Sequence, residues 1–542
     1  MENVAKTKKG KWHILLVVLM ATFVIVIDST AMNVSISNVV ADLETTVDAI
    51  QAIISFYALV MASCMLLGAK LSDIFGKKNS FKYGLIIYGA GTLTAAFSQN
   101  VLMLALGWAV IEGIAAAIMM PAVLSIIVLN YEGQDRAKAM SIYATVAAVA
   151  LAIGPIVGGL VTTYLSWRFI FGGEAFIVII ALIFSKVIPN DLIAKDERPK
   201  IDMIGFLFSG LGLFFIILGF LKANVYGWFW EKNTLQIGSV EISLLGLSAA
   251  FLSIVLGVFL LIILLFWLNK RIEKEKPVLF HPQMFKSNVF LPAILVYLFG
   301  QMSFAGIMFC MPVFMQNALN YNAMDTGLSL MPLSIALLIS SLIVTRLMYR
   351  FSPKIMIITG LLSIMAGITL MRVQFWGEFS AITGSSFILA FLFIGFGVGV
   401  AFSIAYNLAL SNVKDAWKNE GSGMLLTFQN LGSSSSIAVT GSVLLSSVFS
   451  NIAQGIANSE VLNTSGLTKP QIQEILIKNV DTFKDTLAQG VNISSESAQA
   501  IEKILTNAMS LSMDSVGLIL TILVGIGLLL AIFILPNAKL EK

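Results

Sequence analysis

Fourteen times along its 542 residues this chain passes through a continuous, mostly apolar stretch of membrane-spanning length. The stretches lie near 12–37, 48–70, 81–98, 101–129, 138–164, 169–188, 203–222, 242–268, 289–314, 326–348, 354–372, 385–410, 421–448 and 512–535. About twenty apolar residues suffice to cross the hydrocarbon core as a helix. The runs are continuous rather than alternating, which favours helices over a barrel. Composition agrees: 58% of residues are apolar and 12% charged, against ~45–50% and ~25% in soluble domains. A water-soluble surface cannot be built from that remainder, so a soluble enzyme, a nucleic-acid binder and a disordered chain are excluded. The first stretch is too long for a signal peptide and lacks a small-residue cleavage site, so it reads as a span.

An even number of spans puts both termini on one side. With that side cytoplasmic, the inner segments hold 26 of the 34 Lys and Arg residues and the outer ones eight. Basic residues concentrate on the cytoplasmic side of membrane proteins, and one missed span would reverse every later assignment. Most connections are short. The exception, roughly 449–511, is polar and outer. Ile472, Ile475, Leu476, Val480 and Phe483 recur there at helical spacing, which predicts one or two helices capping the outer face.

The two cysteines, Cys64 and Cys310, and the two histidines, His13 and His281, are far apart in sequence. No disulfide framework, His/Cys metal site or other metal site is expected, and no Ser/His/Asp set shares one depth. A membrane enzyme is disfavoured on that ground, and a non-transporting sensor by the lack of a soluble domain.

Two connections resemble each other. Lys70-Leu71-Ser72-Asp73-Ile74-Phe75-Gly76-Lys77-Lys78 follows the second span, and Arg346-Leu347-Met348-Tyr349-Arg350-Phe351-Ser352-Pro353-Lys354 the tenth. Both open on a cation and Leu, have Phe sixth and end on Lys. The interval suggests two six-helix bundles, spans 1–6 and 9–14, with spans 7–8 inserted. The expected division is 1–200, 201–270 and 271–542, an all-α membrane protein. Repeated bundles are a transporter signature, with the substrate site at their interface.

Five stretches resemble the major facilitator superfamily, and within it the fourteen-helix drug:proton antiporters. They are Asp28-Ser29-Thr30-Ala31-Met32-Asn33-Val34; the loop with Leu71, Asp73, Gly76, Lys77 and Lys78; Gly154-Pro155-Ile156-Val157-Gly158-Gly159 with Trp167-Arg168-Phe169-Ile170-Phe171; Pro277-Val278-Leu279-Phe280 through Phe285-Lys286-Ser287-Asn288-Val289-Phe290; and Pro312-Val313-Phe314-Met315-Gln316 with Gly327-Leu328-Ser329-Leu330-Met331-Pro332. The resemblance implies a conformational latch at Asp73, Gly76 and Lys77, with Arg136 as partner of Asp73. It also implies that Gly154, Pro155, Gly158 and Gly159 form a seam that seals and flexes during alternating access. Small residues there allow close helix approach in any case, and Pro155 permits a bend. Ala69 stands where the family usually has Gly.

Three acids lie within spans, where an ionisable group is expensive and functional by default. Asp28 falls in the outer half of span 1, Glu112 near the middle of span 4, and Glu174 near the outer start of span 6. These are the candidates for proton coupling and for attracting a cationic substrate. Asp28 alternatively serves as a helix-to-helix hydrogen-bonding residue, Glu112 as the partner of a neighbouring cation, and Glu174 as the neutraliser of Arg168. Here the chain departs from the family: Ala109-Val110-Ile111-Glu112-Gly113 replaces the usual Arg-x-x-Gln-Gly, Gln429 lies near the place of a usual Arg, and Ala52 stands where Trp is common. Glu112 is therefore expected to take over the titrating role. Asn33, Tyr57, Tyr297, Gln301, Phe304, Tyr406, Asn407 and Gln429 are expected to line a cavity; ordinary interhelical packing is the alternative for each.

The resulting expectation is a proton-coupled antiporter of amphipathic, hydrophobic and cationic compounds. It needs no cofactor beyond the proton gradient and works as a monomer in a bacterial plasma membrane, with both termini cytoplasmic. The alternative in the same fold is an exporter of an endogenous lipid or metabolite.

Overall fold

The structure, a computed structural model, describes residues 8–131, 133–190, 202–237, 240–242, 246–348, 350–376, 382–411, 413–414, 417–458 and 495–537. Long helices follow one another: α1 (Lys8–Ala31), α2 (Val47–Phe75), α3 (Lys77–Ala96), α4 (Val101–Asn130), α5 (Gly133–Tyr164), α6 (Arg168–Phe184), α7 (Met203–Tyr226), α8 (Ala249–Ile272), α9 (Phe290–Ala318), α10 (Ala323–Leu347), α11 (Pro353–Gln374), α12 (Ile388–Ser411), α13 (Lys418–Ala457) and α14 (Ser495–Phe533). A short antiparallel hairpin, β1 (Leu235–Ile237) with β2 (Val240–Ile242), lies between α7 and α8. Side-chain oxygens cap several helix starts: Thr46 accepts from the Ala49 amide, Asn100 from Met103, Ser248 from Ala250 and Asn322 from Asp325. Each cap satisfies a donor that the helix itself leaves free.

Thirteen of these helices are long and apolar enough to span a membrane. The exception is α3, which has a span's length of 20 residues but opens on Lys77, Lys78 and Lys82 and contains Gly84, Gly89, Gly91, Thr92 and Thr94. It lies against α4 and α6. Its glycines and Thr92 face protein, while Tyr83, Ile86 and Leu93 are exposed. Helix α3 thus packs among the spanning helices of its bundle, although its hydropathy falls short of theirs.

Within the first six helices, α1 lies against α4, α5 and α6, α2 against α4, and α3 against α4 and α6. Within the last six, α9 lies against α12, α13 and α14, α10 against α12, and α11 against α12 and α14. The two groups meet chiefly through α5 with α10 and α2 with α13. Advancing by eight helices, as the sequence repeat does, turns α5 into α13 and α2 into α10. The two seams therefore exchange under the repeat. The inserted pair α7–α8 packs on itself, and α7 touches α2 and α13. Buried Asp202 ties the pair together: it caps α7 at the Gly205 amide, accepts from Trp267 Nε1 at 3.1 Å and approaches Arg271 at 3.7 Å.

Two boundaries differ from the sequence expectation. Helices α13 and α14 run well past the apolar stretches, and Ile452 and Ala453 pack there on Ala508 in a small satellite core. The apolar contact between the two helices compensates for leaving the bilayer. The amphipathic residues Ile472, Ile475, Leu476, Val480 and Phe483 lie outside the described residues.

The Gly-Pro motif forms a seam of three helices. A Cβ on Gly154 would collide with Thr30, one on Gly158 with the Ala31 carbonyl, and one on Gly159 with the Ala323 carbonyl of α10. From the other side, Gly327 of α10 abuts the Pro155 carbonyl. Backbone-to-backbone approach this close is available only to glycine. Replacing Gly159 with Leu should wedge α5 from α10 and cost about 1–3 kcal/mol, the usual range for overpacking. The measurement is thermal unfolding of the purified protein, with Gly172→Leu, a position with open space around it, as the control that should leave the transition unchanged.

Candidate functional site

Asp28, Glu112 and Glu174 lie on α1, α4 and α6, separated by more than sixty residues at the least. The structure brings them to one point: an oxygen from each lies within 4.8 Å of the others. Their exposures are 0%, 0% and 3%. Depth judged by distance from a span's end placed Glu112 at the middle and Glu174 at the rim. The packing of α1, α4 and α6 nevertheless brings the three side chains together.

The local geometry follows from small residues and an irregular turn. Residues Ala105–Glu112 of α4 are wound as a π-helix, in which each turn holds an extra residue. Gly91 of α3 abuts this segment: a Cβ there would stand 2.6 Å from Glu112 Cγ and 2.9 Å from the Glu112 nitrogen. Gly107 on the same segment abuts Ala95 and Gly91 in return. Trp108, one turn before Glu112, donates from Nε1 to Asp28 Oδ2 at 2.9 Å. Its ring stacks on Tyr57 at 5.8 Å and meets Phe171 edge-on at 5.7 Å. Tyr88 donates to Glu174 Oε2 at 3.4 Å. The centre is therefore a carboxyl triad walled by Trp108, Tyr57, Tyr88 and Phe171. Trp108 and Tyr88 carry no charge or motif that marks them in sequence. A Trp one turn before an intramembrane Glu was the signal available.

Much of the triad is loosely held: Asp28 Oδ1, both Glu112 oxygens and Glu174 Oε1 have no hydrogen bond of ordinary geometry, and Tyr57 beside Asp28 and Tyr88 beside Glu112 are looser partners. None of the ion pairs among the described residues involves a triad member. Glu174 does not neutralise Arg168: that cation pairs with Asp42, donates to the Ser98 carbonyl at 2.8 Å and lies over the Trp167 ring. Three negative charges at this spacing would repel by about 3.5 kcal/mol per pair even at an effective dielectric of ~20.

The expected cavity residues divide. Tyr297 packs on Phe402 at 5.1 Å and meets Tyr406 at 6.4 Å, and Phe304 meets Phe402 at 6.2 Å, giving an aromatic cluster in the second bundle. Gln301 is tied to Ser433 at 2.9 Å. Asn33 and Asn407 donate to carbonyls of their own helices, at Ser29 and Ser403. Gln429 is half-buried on α13, and Tyr57 walls the carboxyl triad.

On the side of the helix bundle that carries Lys70 and Lys77, three residues of the expected latch, Asp73, Gly76 and Lys77, lie together. Asp73 pairs with Lys77 across Gly76, whose φ of 90° suits glycine, and Lys77 also donates to Ser72. The Arg136 side chain lies outside the described residues. The bundles are also joined on this side by Glu420 at the start of α13. It accepts from Lys70 of α2 at 2.7 Å, from the His281 amide at 3.0 Å and shares a hydrogen bond with His281 Nδ1 at 2.8 Å. His281 in turn stacks on Trp417. The joint role of Glu420 and His281 was not legible in the sequence, because each is an ordinary polar residue beside a span. Glu420→Gln leaves Lys70 without its largely buried partner and should destabilise the closed seam by about 3 kcal/mol. It should also raise thiol labelling of a cysteine placed at Gly423, which lies against Leu66 and Ala69, while labelling of Cys64 in the unaltered protein sets the baseline.

Comparison with known proteins agrees with this architecture. Residues 18–230 and 190–437 match the family model of the Major Facilitator Superfamily. Puromycin resistance protein pur8 of Streptomyces alboniger is 26% identical over 80% of this chain and 82% of its own length. Lincomycin resistance protein LmrB of Listeria innocua is 24% identical over 82% and 89%. Multidrug transporter protein MdtP of Bacillus subtilis is 26% identical over 79% and 74%. Among solved structures, a bacterial homologue of the human lysosomal transporter Spinster superposes with a TM-score of 0.60 at 15% identity, covering 99% of both chains. A D-xylose-proton symporter gives 0.54 at 12% identity, covering 80% and 90%. With two helix bundles joined along paired seams and both family matches, this multi-pass membrane protein belongs to the major facilitator superfamily.

Proposed function

We propose that the chain is a proton-coupled exporter of amphipathic and hydrophobic drugs, cationic ones included, working by alternating access in a bacterial plasma membrane with both termini cytoplasmic. The observation that carries the coupling is the buried carboxyl triad, which no ion pair among the described residues engages. A proton entering from outside neutralises a charge at Asp28, Glu112 or Glu174. Releasing it restores a negative centre that attracts a cation. Relatives named for resistance to puromycin and lincomycin support drugs as the substrate class. The aromatic cluster of Tyr297, Phe304, Phe402 and Tyr406 offers an adaptable apolar wall opposite the charged half. Rocking of the bundles would open the Lys70–Glu420–His281 contact on one side and the α5–α10 glycine seam on the other. The basic residues gathered on the first of these sides support its facing the cytoplasm.

A second reading, export of an endogenous lipid, draws on one observation. An apolar groove of about 520 Å³ lies between α1, α5 and α6, lined by Trp12, Leu15, Leu19, Phe23, Ile142 and Ile177. It suits a hydrocarbon chain entering sideways. A change in membrane lipid composition without drug resistance on expression would favour it.

Inverted vesicles loaded by an imposed pH gradient test the first reading. Wild-type protein should move a hydrophobic cationic dye, and a protonophore should abolish the movement. Glu112→Gln and Asp28→Asn should each lower the rate at least tenfold at unchanged protein level, the scale of losing a positioned proton carrier. Gradient-independent dye movement, or full activity of Glu112→Gln, would refute the coupling.

A further inference from the structure

We infer that the groove between α1, α5 and α6 is a resident site for one anionic phospholipid, drawn from the leaflet on the side that carries Lys70 and Lys77. One acyl chain fills the groove, and the phosphate meets Lys138 and Lys186 at its mouth. The lipid stays bound and is not itself exported. The site is thus distinct from the sideways entry of a transported lipid, and it does not depend on proton coupling.

An exposed apolar surface is ordinary in a chain that meets lipid, so apolarity alone points to nothing. Shape, length and charge together do. The groove is a concavity of about 520 Å³ that follows α1 from Trp12 to Phe23, with Ile142 and Val146 of α5 and Ile177 of α6 as its other walls. Trp12 and Leu16 are 36% and 52% exposed, so it is reached from the side. Between Trp12 and Phe23 the helix rises ~17 Å at ~1.5 Å per residue. That is about half of the ~30 Å hydrocarbon core. The groove is therefore one leaflet deep, the reach of a single acyl chain.

Charge at the mouth names the headgroup. Lys138 of α5 holds its Nζ 5.4 Å from the centre of the Trp12 ring, and that ring also meets buried Tyr131 at 5.9 Å. The contact fixes the ammonium beside the groove and leaves its N–H groups free to meet a phosphate. Lys186 is exposed in the turn Ser185–Val187 that follows α6 and lies against α1. Lys78 of α3 donates to the Lys186 carbonyl at 3.5 Å, which brings a third cation close. Neither Lys138 nor Lys186 forms an ion pair among the described residues. Asp135, one turn before Lys138, is the one acid described at these three helix ends, and the sequence puts Lys8, Lys9 and Lys11 just before Trp12. A basic mouth on an apolar slot between helices selects an anionic headgroup over a zwitterionic one. The helices it joins show what the lipid does. Helix α1 carries Asp28, and α5 abuts Ala31 of α1 through Gly158 and Ala323 of α10 through Gly159. A chain held across α1, α5 and α6 ties the first bundle into one body for the rocking motion.

The test is quenching of tryptophan fluorescence in phosphatidylcholine nanodiscs by phosphatidylglycerol brominated on its acyl chains. The Trp12 signal is the part lost in Trp12→Phe. It should be half-quenched at a mole fraction at least about fivefold below that needed with brominated phosphatidylcholine, the scale of one lysine acting on an anionic lipid. Replacing exposed Lys138 and Lys186 together with Gln should remove the preference. Phosphatidylglycerol should also raise the thermal unfolding temperature of the wild-type protein and not of the double variant, as binding to the folded state requires. Four results overturn the inference. They are equal quenching by the two lipids, which is ordinary bilayer contact; a preference that survives the double substitution; no quenching of Trp12 by either lipid, as when a second copy of the chain covers the groove; and protonophore-sensitive transfer of phosphatidylglycerol to the opposite leaflet, which makes the groove a substrate path. Dye efflux separates this inference from the proposed function. If the preference holds while a pH gradient drives no efflux, the lipid site stands and proton-driven export falls. If efflux proceeds and no preference is found, the lipid site alone is refuted.

Discussion

Hydrocarbon offers no partner to a polar group, and most of this architecture follows from that shortage. Every backbone amide in the bilayer must bond within its own segment, so the chain is helical wherever it crosses. Charges are driven to the helix ends, where Arg168, Arg372 and Lys70 find Asp42, Asp514 and Glu420. Helices gain little by hiding apolar surface from lipid that is itself apolar. They associate instead through close contact at Gly91, Gly107, Gly158, Gly159 and Gly327. Against that background, three buried carboxyls that no ion pair among the described residues engages are the exception around which the proposed chemistry is arranged.

The two bundles divide the labour unequally. Titratable carboxyls gather in the first, held by Trp108 and Tyr88. In the second, the aromatic cluster around Phe402 occupies the corresponding interior. The side chains that join the halves lie at the margins: Glu420 with Lys70 and His281 at one end, and the glycine seam of α5 with α10 toward the other. Gln51 of α2, which donates to the Ile437 carbonyl at 3.0 Å, adds a polar contact between the bundles. Contacts placed at the two ends of an interface, with chemistry between them, are what a rocking motion requires.

Hydropathy was enough to read thirteen of the helices, because it is a direct response to the bilayer, while α3 with its lysines and glycines shows itself as a packed helix only in the structure. The repeat was readable from two nine-residue connections, and the packing of α5 on α10 and α2 on α13 has the symmetry it implied. Asp28, Glu112 and Glu174 stood out one by one because each is costly in lipid. Their convergence was not readable, since it depends on how the helices pack and on the irregular winding before Glu112. Sequence spacing conveys neither. Trp108 and Tyr88 were invisible for a related reason: a buried aromatic is unremarked until its polar atom is seen to face a charge. The Glu420 contact was missed because its partners lie on α2 and in the segment before α9, hundreds of residues away or beyond a span.

The π-wound segment of α4 has a consequence for how that helix meets its neighbours. An ideal α-helix repeats its faces on a fixed wheel, so one seam runs along its whole length. The extra residue per turn between Ala105 and Glu112 rotates everything after it relative to everything before. The helix thereby presents Gly107 to α3, Trp108 to α1 and Gly113 to Val60 of α2 within two turns. A single rod serves three partners, and Glu112 sits at the last turn of the irregular segment, where their surfaces converge. The irregularity works as a junction: it lets one helix be the hub of a bundle without a break in its backbone.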